Sequence, residues 1–460
     1  MPILLKLKQE VNTFSKWFKI LFFVLLVIYI SLWFFTIYLS SVEKARKIEP
    51  LLPSAPKDSI EYVELSESLT SGHGLSIDGK IETLRVPGYP IFIAVIKTLG
   101  RSYFAITLIQ ILLVFASALI IRRIGILFGG KKVGEISATL LLINPVSMVL
   151  SLIILTDVLF LFLFVLGFYL AVSMDNQKFI QKTLLVSVIF VCAIYVRGMG
   201  LFALPIFITP FLASKLPFKI QLKSIAIMII FIFISISPWI LRNYVRTGVA
   251  SWNSFESVNL SSVVPKFLAN INGTPEEKEI LAFQKATGLP DSEWKNRGSY
   301  DIRYSKQINA VGEKIILKQP FSYIKFHIIT SLPFLFPSSI LFMRDAYDSA
   351  LNINRPFKAG AINALASGNF KSFFKDIMAD WWKVTERLLW LLALLFGLFA
   401  LWKERRNPLA WLFVFISGYL MLLSGPAAGP RLSFQAWPFM FILFAYGFIS
   451  LIDSLKKYYK

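Results

Sequence analysis

The residues of this chain best suited to chemistry are two acids, Asp58 and Asp157, and four arginines, Arg85, Arg197, Arg242 and Arg431. Asp58 opens the stretch Lys57-Asp-Ser-Ile-Glu-Tyr62, in which Tyr62, Leu65 and Leu69 fall at i, i+3 and i+7. That spacing predicts a short amphipathic helix at a membrane interface. Asp58 precedes Tyr62 by about one turn and shares its face, so its carboxylate is directed to the membrane surface. There it suits a general base that must meet a lipid-borne substrate. Asp58 followed by Glu61 also fits a capping box, in which the acid only closes a helix start.

The basic residues read as anion ligands. Arg85 lies just before Pro-Gly-Tyr-Pro90 and can grip phosphate through its planar fork, or snorkel to lipid headgroups. Arg197, Arg242 and Arg431 each stand where an apolar run meets a turn. All three are expected on the non-cytoplasmic side, where arginine in short loops is normally depleted. They are read as sharing one phosphate or pyrophosphate, or as snorkelling separately. Asp157 opens an apolar run, which makes it a functional candidate; alternatively it is a helix N-terminal acid with Thr156 as cap. Glu82, Tyr62 and Tyr89 complete the candidate set, and no residue is assigned to a metal.

The elements that must position these residues are membrane spans. Of the 460 residues 56% are hydrophobic and only 16% are charged, against about 45–50% and 25% in soluble domains. Residues 20–39 contain no charge, enough to cross a hydrocarbon core of about 30 Å. This run is too long for a signal-peptide core and reads as an uncleaved anchor. Further spans are expected at 102–121, 133–150, 157–174, 183–196, 201–214, 224–241, 390–402, 409–423 and 432–452. Residues 321–342 are apolar enough to cross but contain Lys325, His327, Pro333 and Pro337. They are read as re-entrant or interfacial, or as a crossing paired with one more. A re-entrant piece would line a site, because non-helical backbone at membrane depth needs a cavity or protein around it.

The expected fold class is therefore an all-α polytopic membrane protein with about 10–11 transmembrane helices and amphipathic interfacial helices in its first outer loop, 41–101. Residues 1–241 form an N-terminal transmembrane module, 242–380 an outer segment, and 381–460 the C-terminal helices. Neither outer segment is expected to fold independently. Six short segments between or flanking the spans carry +14 of the net +21 charge. That pattern predicts cytoplasmic loops, cytoplasmic termini and contact with anionic lipid in a cell membrane, and argues against nucleic acid. One cysteine, Cys192, excludes an internal disulfide, and two histidines argue against a His-based metal site. No P-loop, Gly-x-Gly-x-x-Gly, Cys-x-x-Cys or His-Glu-x-x-His pattern is present, against ATP-driven transport, nicotinamide chemistry and zinc proteolysis.

The order of motifs resembles a known group. An anchor precedes a loop with Asp58, Tyr62 and Ser-Gly-His-Gly74. Arg85-Val-Pro-Gly-Tyr-Pro90, Asp157, Tyr195-Val-Arg-Gly198, Pro238-Trp-Ile-Leu-Arg-Asn-Tyr244 and Arg431 ahead of Trp437-Pro438 then follow. This looks like the GT-C superfamily of membrane glycosyltransferases. It is closest to bacterial glycosyltransferase family 39, relatives of protein O-mannosyltransferases and the lipid A aminoarabinose transferase. The resemblance implies a polyprenyl-phosphate sugar donor and a lipid, glycan or protein acceptor. It implies that Asp58 activates the acceptor hydroxyl and that Asp157 lines the same cavity. Arg85, with Arg197, Arg242 and Arg431, would handle carrier phosphate. Some relatives have a Glu-Lys-Pro-Pro stretch in this loop; here Glu82 and Arg85 stand further apart and the double proline is absent. A divalent metal is left open. Inverting transfer outside the cytoplasm is expected, in a site walled by the stretches around Asp58 and Tyr89. The competing readings are a transporter or flippase for a lipid-linked precursor and a non-enzymatic envelope scaffold, the latter requiring Asp58 and Asp157 to lie apart in solvent.

Overall fold

The computed structural model describes residues 10–44, 57–99, 102–296, 298–350, 381–427 and 429–458. Parts of the first loop, residues 351–380 and the extreme termini, including residues 1–9 with their basic charges, lie outside the described residues.

The chain is an all-α polytopic membrane protein. Among the described residues seven helices are long and apolar enough to cross a membrane, or nine if two bent pairs are each one span. The seven are α1 (Lys16–Lys44), α4 (Tyr103–Gly129), α8 (Phe179–Val196), α10 (Phe218–Thr247), α17 (Trp381–Lys403), α18 (Pro408–Ser424) and α20 (Trp437–Tyr458). Of the three other spans expected from sequence, 133–150 is one of the bent pairs, and two are shorter apolar helices, α7 (Thr156–Val172) and the run Gly198–Leu212, whose α-helical part is α9 (Leu204–Leu212). α7 is apolar all round because it is the buried centre of the bundle. Its Phe160, Phe164 and Phe168 are fully enclosed, and they pack on Phe207 and Phe439.

The bends have local causes. α5 (Lys131–Ile143) and α6 (Pro145–Leu152) meet at 56°. Pro145 has no N–H to continue a helix, and the Asn144 side chain accepts from Val146 N at 2.9 Å to start a new one. α15 (Pro320–Ser331) and α16 (Ser339–Ala350) flank a 3₁₀ turn and Pro337, and their pair is bent by 75°. This is the apolar segment 321–342, which is thus a helical pair broken at its prolines. Close packing elsewhere depends on glycine: a Cβ on Gly134 would lie 2.3 Å from the Arg122 carbonyl oxygen.

At the end of the bundle away from the loops, Arg122 is almost fully buried. It donates to Glu10 Oε1 at 3.0 Å and lies 3.5 Å from Glu135. Glu135 also accepts from the Ser15 backbone and hydroxyl at 2.9 and 2.6 Å. This cluster ties the start of α1 to α4 and α5.

The loop segments are helical and gather at the opposite end. The first holds α2 (Lys57–Thr70), a two-residue hairpin of β1 (Ser76–Ile77) and β2 (Lys80–Ile81), and α3 (Gly88–Thr98). The second holds α11 (Phe255–Asn272), α12 (Glu276–Ala286), α13 (Asp291–Asn296) and α14 (Ser305–Lys318). Sequence reading registers only its polarity and turns. It has a small apolar core of its own, Val264, Phe283 and Ile308, separate from that of the bundle. The segments touch where Thr83 Oγ1 donates to the Tyr300 carbonyl at 2.9 Å and Ser254 N to the Thr83 carbonyl at 3.1 Å.

Candidate active site

Six charged side chains, from five places in the chain, form one unbroken file at the loop end of the bundle. Glu61 Oε2 accepts from Arg85 Nε at 2.9 Å and Nη2 at 2.7 Å. Arg85 Nη2 also donates to Asp58 Oδ1 at 2.7 Å. Asp58 Oδ2 accepts from Arg431 Nη1 at 2.7 Å, and Arg431 Nε donates to Asp157 Oδ2 at 2.9 Å. Arg197 Nη1 closes the file on Asp157 Oδ1. Three acids and three guanidinium groups thus alternate, so each buried charge lies against an opposite one.

Each member is held by an identifiable piece of structure. α2 presents Asp58 and Glu61 one turn apart, with Tyr62 buried behind them and edge-on to Tyr89. Arg85 is carried by the loop entering α3. That loop crosses α8 so closely that a Cβ on Gly88 would lie 2.5 Å from the Tyr195 carbonyl oxygen. Asp157 sits in the first turn of α7 and Arg197 at the end of α8. Arg431 lies on α19 (Pro430–Ser433), a single turn between α18 and α20. Gln435 Nε2 donates to the Asp157 carbonyl at 3.1 Å, fixing that turn against α7.

Asp58, Tyr62, Arg85, Arg197 and Arg431 face a cavity of about 370 Å³. Thr156, Met199, Phe255, Asn259, Phe342 and Leu432 also line it. Asp157 does not. Its side chain is 0% exposed, against 29% for Asp58 and for Arg431. It lies beneath the floor and pins two of the arginines that face the cavity. The resemblance implied that Asp157 lines the hollow, but an acid between two guanidinium groups is drawn behind them. Arg197 Nε meets Met199 Sδ at 3.1 Å. Nη2 of Arg197 and Nη2 of Arg431 have no protein partner among the described residues.

Burial opposes ionisation of Asp58, but Arg85 and Arg431 together outweigh it and hold the carboxyl below its ordinary value. Burial likewise disfavours the charged form of Arg85, yet Tyr62, Asp58 and Glu61 raise its affinity for the proton. Arg431 is raised too, by Asp157 and Asp58 against the same burial. The Tyr62 hydroxyl is pushed up, mainly by burial.

Other candidates are engaged differently. Asp58 is the second residue of α2, not its cap, and both its oxygens are taken by arginines, so the capping-box reading does not describe it. Thr156 is the first residue of α7, whose cap position is taken by Leu155. Glu82 is buried and turned inward, its Oε1 accepting from Leu84 N at 2.6 Å and Arg85 N at 2.9 Å. Tyr89 is fully buried, with its hydroxyl on Gln110 Oε1 at 2.6 Å, and supports Tyr62 without walling the cavity. Arg242 does not join the other arginines. It donates to the carbonyls of Glu82 and Leu75 at 2.8 and 3.2 Å, where the hairpin loop leaves backbone acceptors needing partners. Phe342 lines the cavity from segment 321–342, whose re-entrant reading expected it to line a site, and Asn259 lines it from α11, where no residue stands out in sequence.

No three His, Cys, Asp or Glu side chains are gathered as metal ligands among the described residues. Around Asp58 the neighbours are guanidinium groups, a donor set that suits an anion and repels a cation. α16, whose Phe342 lines the first cavity, also contributes Ser339 and Ile340 to a second of about 550 Å³. Its walls are apolar and aromatic, including Trp381, Trp382, Trp390 and Phe441.

No protein-family model matches the chain, and no curated protein is similar to it in sequence. Among solved structures it is similar to ArnT from Cupriavidus metallidurans in the apo state, at 11% identity and a TM-score of 0.36, over 86% of this chain and 72% of that one. That likeness is too remote to assign a family or an activity.

Proposed function

We propose that this protein is a membrane glycosyltransferase that moves a sugar from a polyprenyl-phosphate carrier to an acceptor hydroxyl, with Asp58 as general base. The observation that carries the reading is the cavity in which one ionised carboxylate stands among three guanidinium groups. A hydroxyl is a poor nucleophile at neutral pH without a base, and Asp58 is the acid that faces the cavity. A phosphate leaving group develops charge that needs fixed cations, and Arg197 and Arg431, which both line the cavity, are such cations. Buried Asp157 holds those two arginines in orientation before substrate arrives.

In the reaction the acceptor O–H bond breaks and its proton passes to Asp58. The acceptor oxygen forms a bond to the anomeric carbon as the bond from that carbon to the phosphate oxygen breaks. The electron pair remains on the phosphate, opposite Arg431 and Arg197. Attack opposite the leaving group inverts the anomeric centre. The apolar cavity that shares α16 with the phosphate site supports a lipid carrier, because it offers the isoprenoid chain an aromatic-lined bed. The order of motifs along the chain supports the same reaction class, and the basic loops support catalysis on the non-cytoplasmic side of a cell membrane.

A scaffold role required Asp58 and Asp157 to lie apart in solvent, whereas they share the guanidinium of Arg431. The reading is tested by incubating purified protein with a panel of polyprenyl-phosphate sugars and a membrane extract as acceptor source. Release of free polyprenyl phosphate with one member of the panel is expected. Movement of an intact lipid-linked sugar across proteoliposomes, without cleavage, would favour a flippase instead.

A further inference from the structure

We propose that Arg431 couples the two substrates: it masks Asp58 until the donor's phosphate draws its Nη1 away, so that the acceptor hydroxyl is activated only after the donor is bound. The inference rests on the glycosyl-transfer reading and adds to it the order of events and the residue that enforces it.

The geometry gives Arg431 three different ends. Nε is fixed on buried Asp157, Nη1 lies on Asp58 Oδ2, and Nη2 has no protein partner among the described residues. A guanidinium binds phosphate best through two parallel N–H bonds. For Arg431 the edge not fixed to Asp157 is the pair Nη1 and Nη2, so a phosphate seated on that edge competes directly with Asp58. Arg197 stands on the same acid and brings a second unpartnered Nη2. Arg85 cannot substitute, because Glu61 holds two of its nitrogens.

The groups facing Asp58 are Arg85 from the loop before α3, Arg431 from α19, and Glu61 and Tyr62 on its own helix. With Arg85 and Arg431 both in place, each oxygen of Asp58 accepts a charge-assisted bond, and the carboxylate is a weak base. Removing the Arg431 bond frees a lone pair on Oδ2 and makes that oxygen more basic. The acceptor proton then goes to Oδ2. Transfer turns a phosphodiester into a monoester of greater negative charge, which grips Arg431 more firmly. The carrier phosphate therefore leaves last, and its departure masks Asp58 again. A base silent without donor also has no role in activating stray water.

The test uses full-length protein in nanodiscs with farnesyl phosphate as probe. Infrared difference spectra would follow the pH at which the protonated Asp58 carbonyl band appears, assigned by its loss in Asp58→Asn. Farnesyl phosphate binding would be measured separately by calorimetry. Saturating probe should move the Asp58 transition upward by about one pH unit, the scale of losing one close opposite charge. Arg431→Gln should show the raised transition without probe and no further rise with it. Should that variant fail to fold, the wild-type comparison still decides. Binding with an unmoved Asp58 transition overturns the coupling and leaves the transfer reading standing. Failure of farnesyl phosphate to bind overturns both.

Discussion

Arg431 donates to Asp58 at 2.7 Å although 373 residues separate them in the chain. The same guanidinium reaches Asp157, 274 residues away, at 2.9 Å. The last short turn of the protein thus closes a site begun by its first loop. The pairing places the candidate base, and the acid beneath it, on one cation.

Asp58→Asn should abolish sugar transfer and leave the fold intact. Asparagine keeps the size and one acceptor oxygen, so α2 retains its packing. General-base loss costs about 10²–10⁴ in rate. Donor turnover and a thermal unfolding scan, run together, check this; near-wild-type turnover would remove Asp58 as base.

Asp157→Ala should behave differently, as a stability mutation first. It leaves Arg197 without a carboxylate and Arg431 with only Asp58. Removing one partner of a buried ion pair costs about 3–5 kcal/mol, so a markedly lower melting temperature is expected. Asp157→Asn should recover part of that stability. A melting temperature unchanged in Asp157→Ala would mean the arginines do not depend on this acid.

Asp58 also makes a pH prediction. Its carboxyl is held below the ordinary value in the folded protein. Its contribution to stability is therefore complete above the unfolded carboxylate pKa and is lost as pH falls through the depressed folded value. Wild-type protein should lose thermal stability in that acid window, and Asp58→Asn should lose less. Equal slopes in the two proteins would contradict the depressed value.

The second cavity predicts chain-length dependence. Ala393 lines it, and Ala393→Phe would fill part of the space offered to an isoprenoid chain. KM for a long-chain donor should rise several-fold, while KM for a short-chain donor should hardly change. Equal effects on both donors would separate this cavity from the carrier.

Much of the site was legible because a membrane span makes ionisable groups conspicuous. Asp157, Arg197 and Arg431 each interrupt apolar sequence, and a charge there must meet a partner or an anion. That they gather in one place was an expectation of the sequence; that Arg197 and Arg431 both pair with a buried Asp157 was not legible, since it depends on how α7, α8 and α19 meet. Arg242 and Glu82 look as conspicuous in sequence, yet both serve backbone groups of the first loop. Residue type does not reveal whether a guanidinium joins a network of acids or stitches a turn. The spans were legible from hydrophobic length, and the break at 321–342 from its prolines. The helices of 255–318 were not, because polar amphipathic helices resemble loops in composition.

The most direct test of the account is a paired measurement on Asp58→Asn: farnesyl phosphate affinity and donor cleavage in the same preparation. The account predicts binding at least as tight as in wild type, because Arg197 and Arg431 remain and a competing anion is gone, with cleavage lost. Cleavage retained, or phosphate binding lost along with it, would contradict the separation of a base from a guanidinium-built phosphate site.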